Sequence, residues 1–278
     1  MFHVRRIESL DLPDLQPYRT MRRSQEQCDQ GIFVAEGTKV VRRLLESSFP
    51  VLSVLLPDKW LADFEPLLRA RPETDFPVYV VSEKHVLEEL IGFSMFQGVL
   101  AVGRIPKPTS LSELLERSPK PRLLAAVDGL TSAENVGALV RNCAAFNVQG
   151  LIAGETSSSP FLRRAVRNSM GTIFQLPIVE SRSLLRSLVE LRAQGIRCVA
   201  AHPRADGRVL WQTDLKNDCC IVFGSEGAGL AEPVLRACDE AVAIPMPPSV
   251  DSLNVGAAAA VFFYEANRQR QLTANPLP

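Results

Sequence analysis

The sequence predicts an α/β protein of two domains, and three observations carry that prediction. Short apolar runs without polar alternation recur with helical patterns between them, as in a parallel sheet covered on both faces. The length, 278 residues, exceeds one average domain and falls short of three. Pro106, Pro108, Pro119 and Pro121 bracket one short helix, and proline fixes φ and removes backbone donors, so this stretch reads as a linker. The expected division is 1–105, a linker at 106–121, and 122–278.

The elements follow in order. Residues 1–30 carry Arg5, Arg6, Arg19, Arg22 and Arg23 with acidic residues between them, which predicts a solvated, irregular lead-in. A predicted strand at 32–35 precedes a predicted helix at 38–47, with Val40, Val41, Leu44 and Leu45 on one stripe. Strands are expected at 51–56 and 78–81, and helices at 59–70 and 83–90, the last capped by Ser82. A strand at 98–102 closes a small α/β sandwich. In the second half, strands are expected at 123–127, 150–153, 198–201, 219–223 and 241–244. The predicted helices are one running to Ala145, one containing 161–168, one at 184–194 stopped by Gly195, one at 231–237 and one at 253–270. The last is apolar almost all round to Tyr264, so burial is expected.

Composition excludes several classes. Lys+Arg and Asp+Glu both number 31, so a highly basic, histone-like binder is excluded, while a local basic patch is not. Charges and prolines occupy the first residues, where an export signal needs an apolar run. The longest apolar stretch, about ten residues around Ala257 to Tyr264, is half of what a membrane helix needs. A cytoplasmic location without membrane contact is the expectation. Cys28, Cys143, Cys198, Cys219, Cys220 and Cys238 form no C-x-x-C pair and read as buried, reduced thiols. His3, His85 and His202 are the only histidines, so neither histidine-based catalysis nor a metal site is expected.

Three segments break the plain pattern. The first, DGLTSAENVGALVRNC from Asp128, leaves a strand, turns and enters a helix, the place where ligands gather in α/β sheets. Val136, Leu139, Val140 and Cys143 form its core stripe. Arg141 lies off it, and a solvated arginine is the plain alternative. Asn135 shares a substrate with Arg141 only if it sits in the loop or first turn. Gly137 costs about 1 kcal/mol against alanine in a helix, which points to close packing there. The second segment, CCIVFGSEGAGL, runs a strand into three glycines in the order G-x-x-G-x-G, which is neither a dinucleotide fingerprint nor a P-loop. Glu226 stands inside it, where the plain alternative is to bond loop amides. The third, AIPMPPSVDSLNVG, passes a stiff loop to Ser252, a candidate N-cap, and to Asn254, expected in the first helical turn.

Taken together, N-x-G-x-x-x-R-N, V-F-G-S-E-G-x-G-L and I-P-M followed by S-L-N-V resemble the three signature motifs of the SpoU (TrmH-like) branch of the SPOUT methyltransferases, from about Leu123 to Asn267. FVAEGTKVVRRLLES and FQGVLAVG look like the L30e-like substrate-binding domain that such enzymes often carry. The resemblance implies a C-terminal parallel sheet with a deep trefoil knot, a feature that topology rules alone would never propose. It implies methyl transfer from S-adenosylmethionine to a ribose 2′-hydroxyl in RNA, ribosomal RNA ahead of transfer RNA. It also implies a homodimer through the knot domain.

By the same matching, Arg141, Asn135, Glu226, Ser252 and Asn254 line the catalytic site. Ala200, Ala201, Gly224, Ser225, Gly229, Ile244, Met246 and Leu253 hold the cofactor. Arg163, Arg164 and Arg167, with no acidic residue from Thr156 to Val179, are the expected RNA-phosphate contacts, with a solvated face as the alternative. Two departures stand out. Pro247-Pro248 replaces the family's glycine after I-P-M, and Gly256 stands where a serine is common. A cofactor-free RNA-binding module on a degenerate knot is the rival reading.

Overall fold

The apolar runs expected as strands become strands in the computed structural model, which describes residues 2–73, 75–82, 98–203 and 208–274. The helix expected at 83–90 lies outside the described residues. The chain divides into two units, one of residues 1–107 and 161–175, the other of residues 108–160 and 176–278.

In the first unit, strands β1 (Phe2–Ile7), β2 (Ile32–Glu36), β3 (Val51–Pro57), β4 (Phe76–Val81) and β5 (Leu100–Arg104) form one sheet, ordered β1-β4-β3-β5-β2. β1, β4 and β3 run parallel, and β5 is antiparallel to both β3 and β2. The N-terminal segment corrects the expectation of a solvated lead-in. β1 pairs with β4 from Phe2↔Phe76 to Ile7↔Val81. Ile7, Leu10, Leu15, Tyr18 and Met21 are buried. Their spacing follows neither the strand nor the helix period, so periodicity does not register them. The arginines stay outside: Arg5, Arg6, Arg19 and Arg23 pair with Asp14, Asp58, Asp11 and Glu26. The Tyr18 hydroxyl shares a 2.8 Å hydrogen bond with Ser53, and burial pushes its pKa up.

Residues 161–175 complete this unit. The rings of Phe161 and Phe174 lie 5.9 and 5.6 Å from that of Phe33. The helix expected at 161–168 begins at Arg163 and spans Arg163–Asn168.

The second unit is built on a fully parallel sheet. Strands β6 (Leu123–Val127), β7 (Gly150–Ala153), β8 (Ile178–Glu180), β9 (Arg197–Ala201), β10 (Cys219–Phe223) and β11 (Glu240–Val242) take the order β11-β9-β10-β6-β7-β8. β6, β7 and β10 are buried along their whole length, which is why they read as unbroken apolar runs. β8, three residues long, carried too little pattern to be predicted.

The proline-bracketed stretch is more than a spacer. Its helix, Leu111–Arg117, starts in a capping box between Ser110 and Glu113. Leu111, Leu114 and Leu115 enter the same core as Leu124, Ile152 and Leu188. The fit at Gly150 is tight: a Cβ there would lie 2.4 Å from a Leu114 methyl. The final helix, Val255–Ala274, sets Phe262 and Phe263 edge-on against Phe223. It is not buried all round, because Ala257, Val261 and Tyr264 form an exposed stripe.

Candidate active site

Parallel pairing brings four strand ends level. Val127 pairs with Phe223, Phe223 with Ala201, and Ala201 with Val242. The loops after β9, β10 and β11 therefore leave the sheet at one edge, the ligand-binding edge of α/β folds. Together with the start of the final helix they enclose a cleft of about 510 Å³.

The loop after β10 is closed on itself. Ser225 N–H donates to the Gly229 carbonyl at 2.9 Å, and Gly229 N–H donates to that of Ser225 at 3.0 Å. This closure needs its glycines. A Cβ on Gly224 would lie 2.2 Å from the Gly229 backbone, and Gly229 has φ +70°. Glu226 stands at the exposed end of this loop.

Asn254 joins the motifs. Its Oδ1 accepts from Gly256 N–H at 2.9 Å, which makes it the cap of the final helix. With Oδ1 engaged, Nδ2 faces away from the helix and donates to Asn135 Oδ1 at 3.0 Å and to Glu226 Oε1 at 2.9 Å. Asn135 lies in the first turn of the Ala133–Ala145 helix, where its N–H donates to the capping Ser132 hydroxyl at 3.3 Å. The expectation for Ser252 is thereby corrected. Asn254 caps the helix, and Ser252 is exposed and lines the cleft.

Arg141 is exposed and makes no hydrogen bond or ion pair among the described residues. The neighbouring Asn142 amide donates to the Gly256 carbonyl at 2.6 Å, fastening this turn to the start of the final helix. Gly256 permits that approach: a Cβ there would lie 3.1 Å from Asn254 Oδ1 and 3.2 Å from Ala138 Cβ. Gly137 is buried in the same helix.

Of the residues expected at the cofactor, Ala201, Gly224, Ser225, Gly229, Ile244, Met246 and Leu253 line the cleft. Ala200 does not. Successive strand residues face opposite ways, and Ala200 points into the core with Leu124 and Val222. Sequence reasoning missed His202 and Asp251, which also line the cleft, as do Val255, Ala258 and Phe262. Those last three recur at helical spacing on the final helix, a signal present in the sequence but indistinguishable there from core packing.

The arginine cluster is placed differently from expectation. Arg163 and Arg167 both pair with the buried carboxylate of Glu36, Arg167 at 2.8 Å. Arg163 is thus committed within the first unit and is not a free phosphate contact; Arg164 is exposed. Among the described residues, no group of three His, Cys, Asp or Glu side chains is arranged to hold a metal ion.

The SpoU rRNA Methylase family model matches residues 122–264. The chain is 33% identical over 266 residues to a Mycobacterium tuberculosis protein described as an uncharacterized tRNA/rRNA methyltransferase, covering 93% of this chain and 90% of that one. It is 34% identical over 209 residues to the 23S rRNA (guanosine-2'-O-)-methyltransferase RlmB of Shewanella oneidensis, covering 74% and 84%. The SpoU methyltransferase AviRb from Streptomyces viridochromogenes, solved with AdoMet, aligns with a TM-score of 0.79 at 26% identity over 94% of this chain and 98% of that one. The family match spans every loop that meets at Asn254, and the relatives align along most of both chains: this chain belongs to the SpoU rRNA methylase family.

Proposed function

We propose that this chain transfers a methyl group from S-adenosylmethionine to a ribose 2′-hydroxyl in RNA, and that the RNA is ribosomal. The observation that carries the reading is the Asn254 amide, which gathers Asn135 and Glu226 beside the cleft. The RlmB and AviRb relatives support it.

The cleft suits this cofactor. Phe223, Ile244, Met246 and Leu253 offer apolar surface to an adenosyl group, and the glycine loop offers backbone polar groups. Glu226 and Asp251 offer carboxylates to its cationic centres. The group bound here would supply an electrophilic methyl, its sulfur keeping the electron pair of the S–C bond that breaks. Arg141 stays protonated, so it serves as a clamp on an RNA phosphate and on the charge developing at the ribose oxygen. Glu226, fixed by Asn254, accepts the hydrogen bond of the 2′-hydroxyl, orients it and passes its proton to solvent as the oxygen–methyl bond forms. Ser252 lines the same cleft.

The first unit presents the RNA target, with Arg164 among its phosphate contacts. The unit built on the parallel sheet carries the trefoil knot and pairs with a second copy through the Ala257, Val261 and Tyr264 stripe. The protein acts in the cytoplasm; no described helix is long and apolar enough to cross a membrane.

The test combines two measurements on the purified protein. Calorimetric titration with S-adenosylmethionine is expected to give one site per chain. Incubation with methyl-labelled cofactor is expected to label ribosomal RNA and not transfer RNA. Arg141→Lys is expected to fold normally, since the side chain has no partner to lose among the described residues, and to lose transfer. Absence of cofactor binding in the presence and absence of RNA overturns the enzyme reading. Label on transfer RNA alone overturns the substrate assignment.

A further inference from the structure

Asp128, the residue after β6, is buried at 8% exposure yet does not line the cleft. A buried carboxylate is costly unless hydrogen-bonded, so its partners are informative. Oδ2 accepts from Ala231 N–H at 2.8 Å, just beyond the glycine loop. Oδ1 faces the Thr156 hydroxyl at 3.5 Å, in the loop after β7. The Asp128 N–H donates to the Phe223 carbonyl at 2.9 Å, just before the glycine loop. One residue therefore holds both the entry and the exit of the loop that carries Glu226. The next residue, Gly129, has φ +65°, a conformation that glycine adopts without strain.

We propose that Asp128 is a positioning residue whose buried carboxylate sets the place of the 224–230 loop, and through it cofactor affinity and the aim of Glu226. The cofactor part of the inference rests on the cleft being the S-adenosylmethionine site. The loop-holding part rests on the hydrogen bonds alone. The carboxylate holds the exit through the Ala231 main chain, so its removal releases that end of the loop, leaves the main-chain bond at the entry in place, and alters no residue the cofactor touches.

Three variants test this: Asp128→Ala, Asp128→Asn and Ala231→Pro. Ala231 has φ −61°, which suits a proline ring, so that substitution deletes the N–H from the other side of the bond. The readouts are hydrogen exchange of the 224–230 amides in the cofactor-free protein, and the Kd for S-adenosylmethionine by calorimetry. Asp128→Ala is expected to speed exchange and weaken binding on the order of tenfold. Asp128→Asn keeps an oxygen acceptor and is expected to stay within about threefold of the parent. Ala231→Pro is expected to reproduce the alanine variant, and the double variant to add nothing further. Should Asp128→Ala fail to fold, Ala231→Pro decides. Parental exchange and parental binding in both overturn the proposal. Faster exchange in both, in a protein whose parent binds no cofactor, keeps the loop-holding role and overturns the cofactor reading.

Discussion

Asn254 donates an amide hydrogen to Asn135 Oδ1 at 3.0 Å, across 119 residues of sequence. The same amide group reaches Glu226, so one side chain holds all three motifs in register. The helix-capping bond from Gly256 N–H to Oδ1 decides which way the amide points.

Asn254→Asp separates these two duties. The carboxylate still caps Gly256, so the melting temperature is expected to stay near that of the parent. The donor is gone and a charge now faces Glu226, so turnover is expected to fall on the order of 100-fold. Asn254→Ala loses the cap as well, which adds a destabilisation of about 1 kcal/mol. Thermal melts and methyl-transfer rates on the two variants check this; a melting temperature lowered equally in both contradicts it.

Gly256 stands where family resemblance leads one to expect serine, and the structure gives a reason. Its Cβ position is crowded by Asn254 Oδ1 and Ala138 Cβ. Gly256→Ala is expected to destabilise by about 1 kcal/mol through overpacking and to slow transfer by shifting Asn254. Combining it with Ala138→Gly is expected to restore part of the transfer rate but not the stability, because glycine inside a helix costs about 1 kcal/mol against alanine, as initial rates and chemical denaturation will show.

Arg163 is paired with the buried Glu36 carboxylate, and Arg164, next to it in sequence, is exposed. Removing Arg163 leaves Glu36 buried with one partner fewer, so Arg163→Ala is expected to cost about 3 kcal/mol of stability. Arg164→Ala is expected to weaken RNA binding with a reduced salt slope. Denaturation midpoints and RNA titrations at two salt concentrations distinguish the two.

Most strands of the two sheets, β2 to β7, β9 and β10, were legible because they are largely buried and carry continuous apolar runs. The site was legible as motifs but not as geometry. Nothing in the sequence says that Ala201 and not Ala200 faces the cleft, because the alternation has no reference face until the sheet is formed. Nor does it say that Arg163 is neutralised by a carboxylate 127 residues earlier. Ser252 reads as the cap and Asn254 as a first-turn residue, and only the path of the loop shows that it is Asn254 that meets Gly256. The strand Phe2–Ile7 was hidden by its exposed arginines.

The buried thiols give the stability a sign at alkaline pH. Burial pushes Cys238 up to about 12 and raises Cys143, Cys198, Cys219 and Cys220. In the unfolded chain they ionise near pH 8.5. The folded state therefore holds more protons above that pH, and stability falls as pH rises from about 8.5 toward 12. Urea midpoints measured under reducing conditions are expected to be level from pH 7 to 8 and to decline steadily above pH 9. A level midpoint through pH 10.5 contradicts the burial of these thiols.

The most direct measurement is of the product. Ribosomal RNA from a strain lacking this protein, incubated with the protein and S-adenosylmethionine, is digested to nucleosides and resolved by mass spectrometry. One ribose 2′-O-methylated nucleoside is expected, formed by the parent and absent with Arg141→Lys or Asn254→Asp. A methyl group found on a base, or no methylated nucleoside from a folded protein that binds the cofactor, contradicts the ribose chemistry assigned to the Asn135, Glu226 and Asn254 cluster.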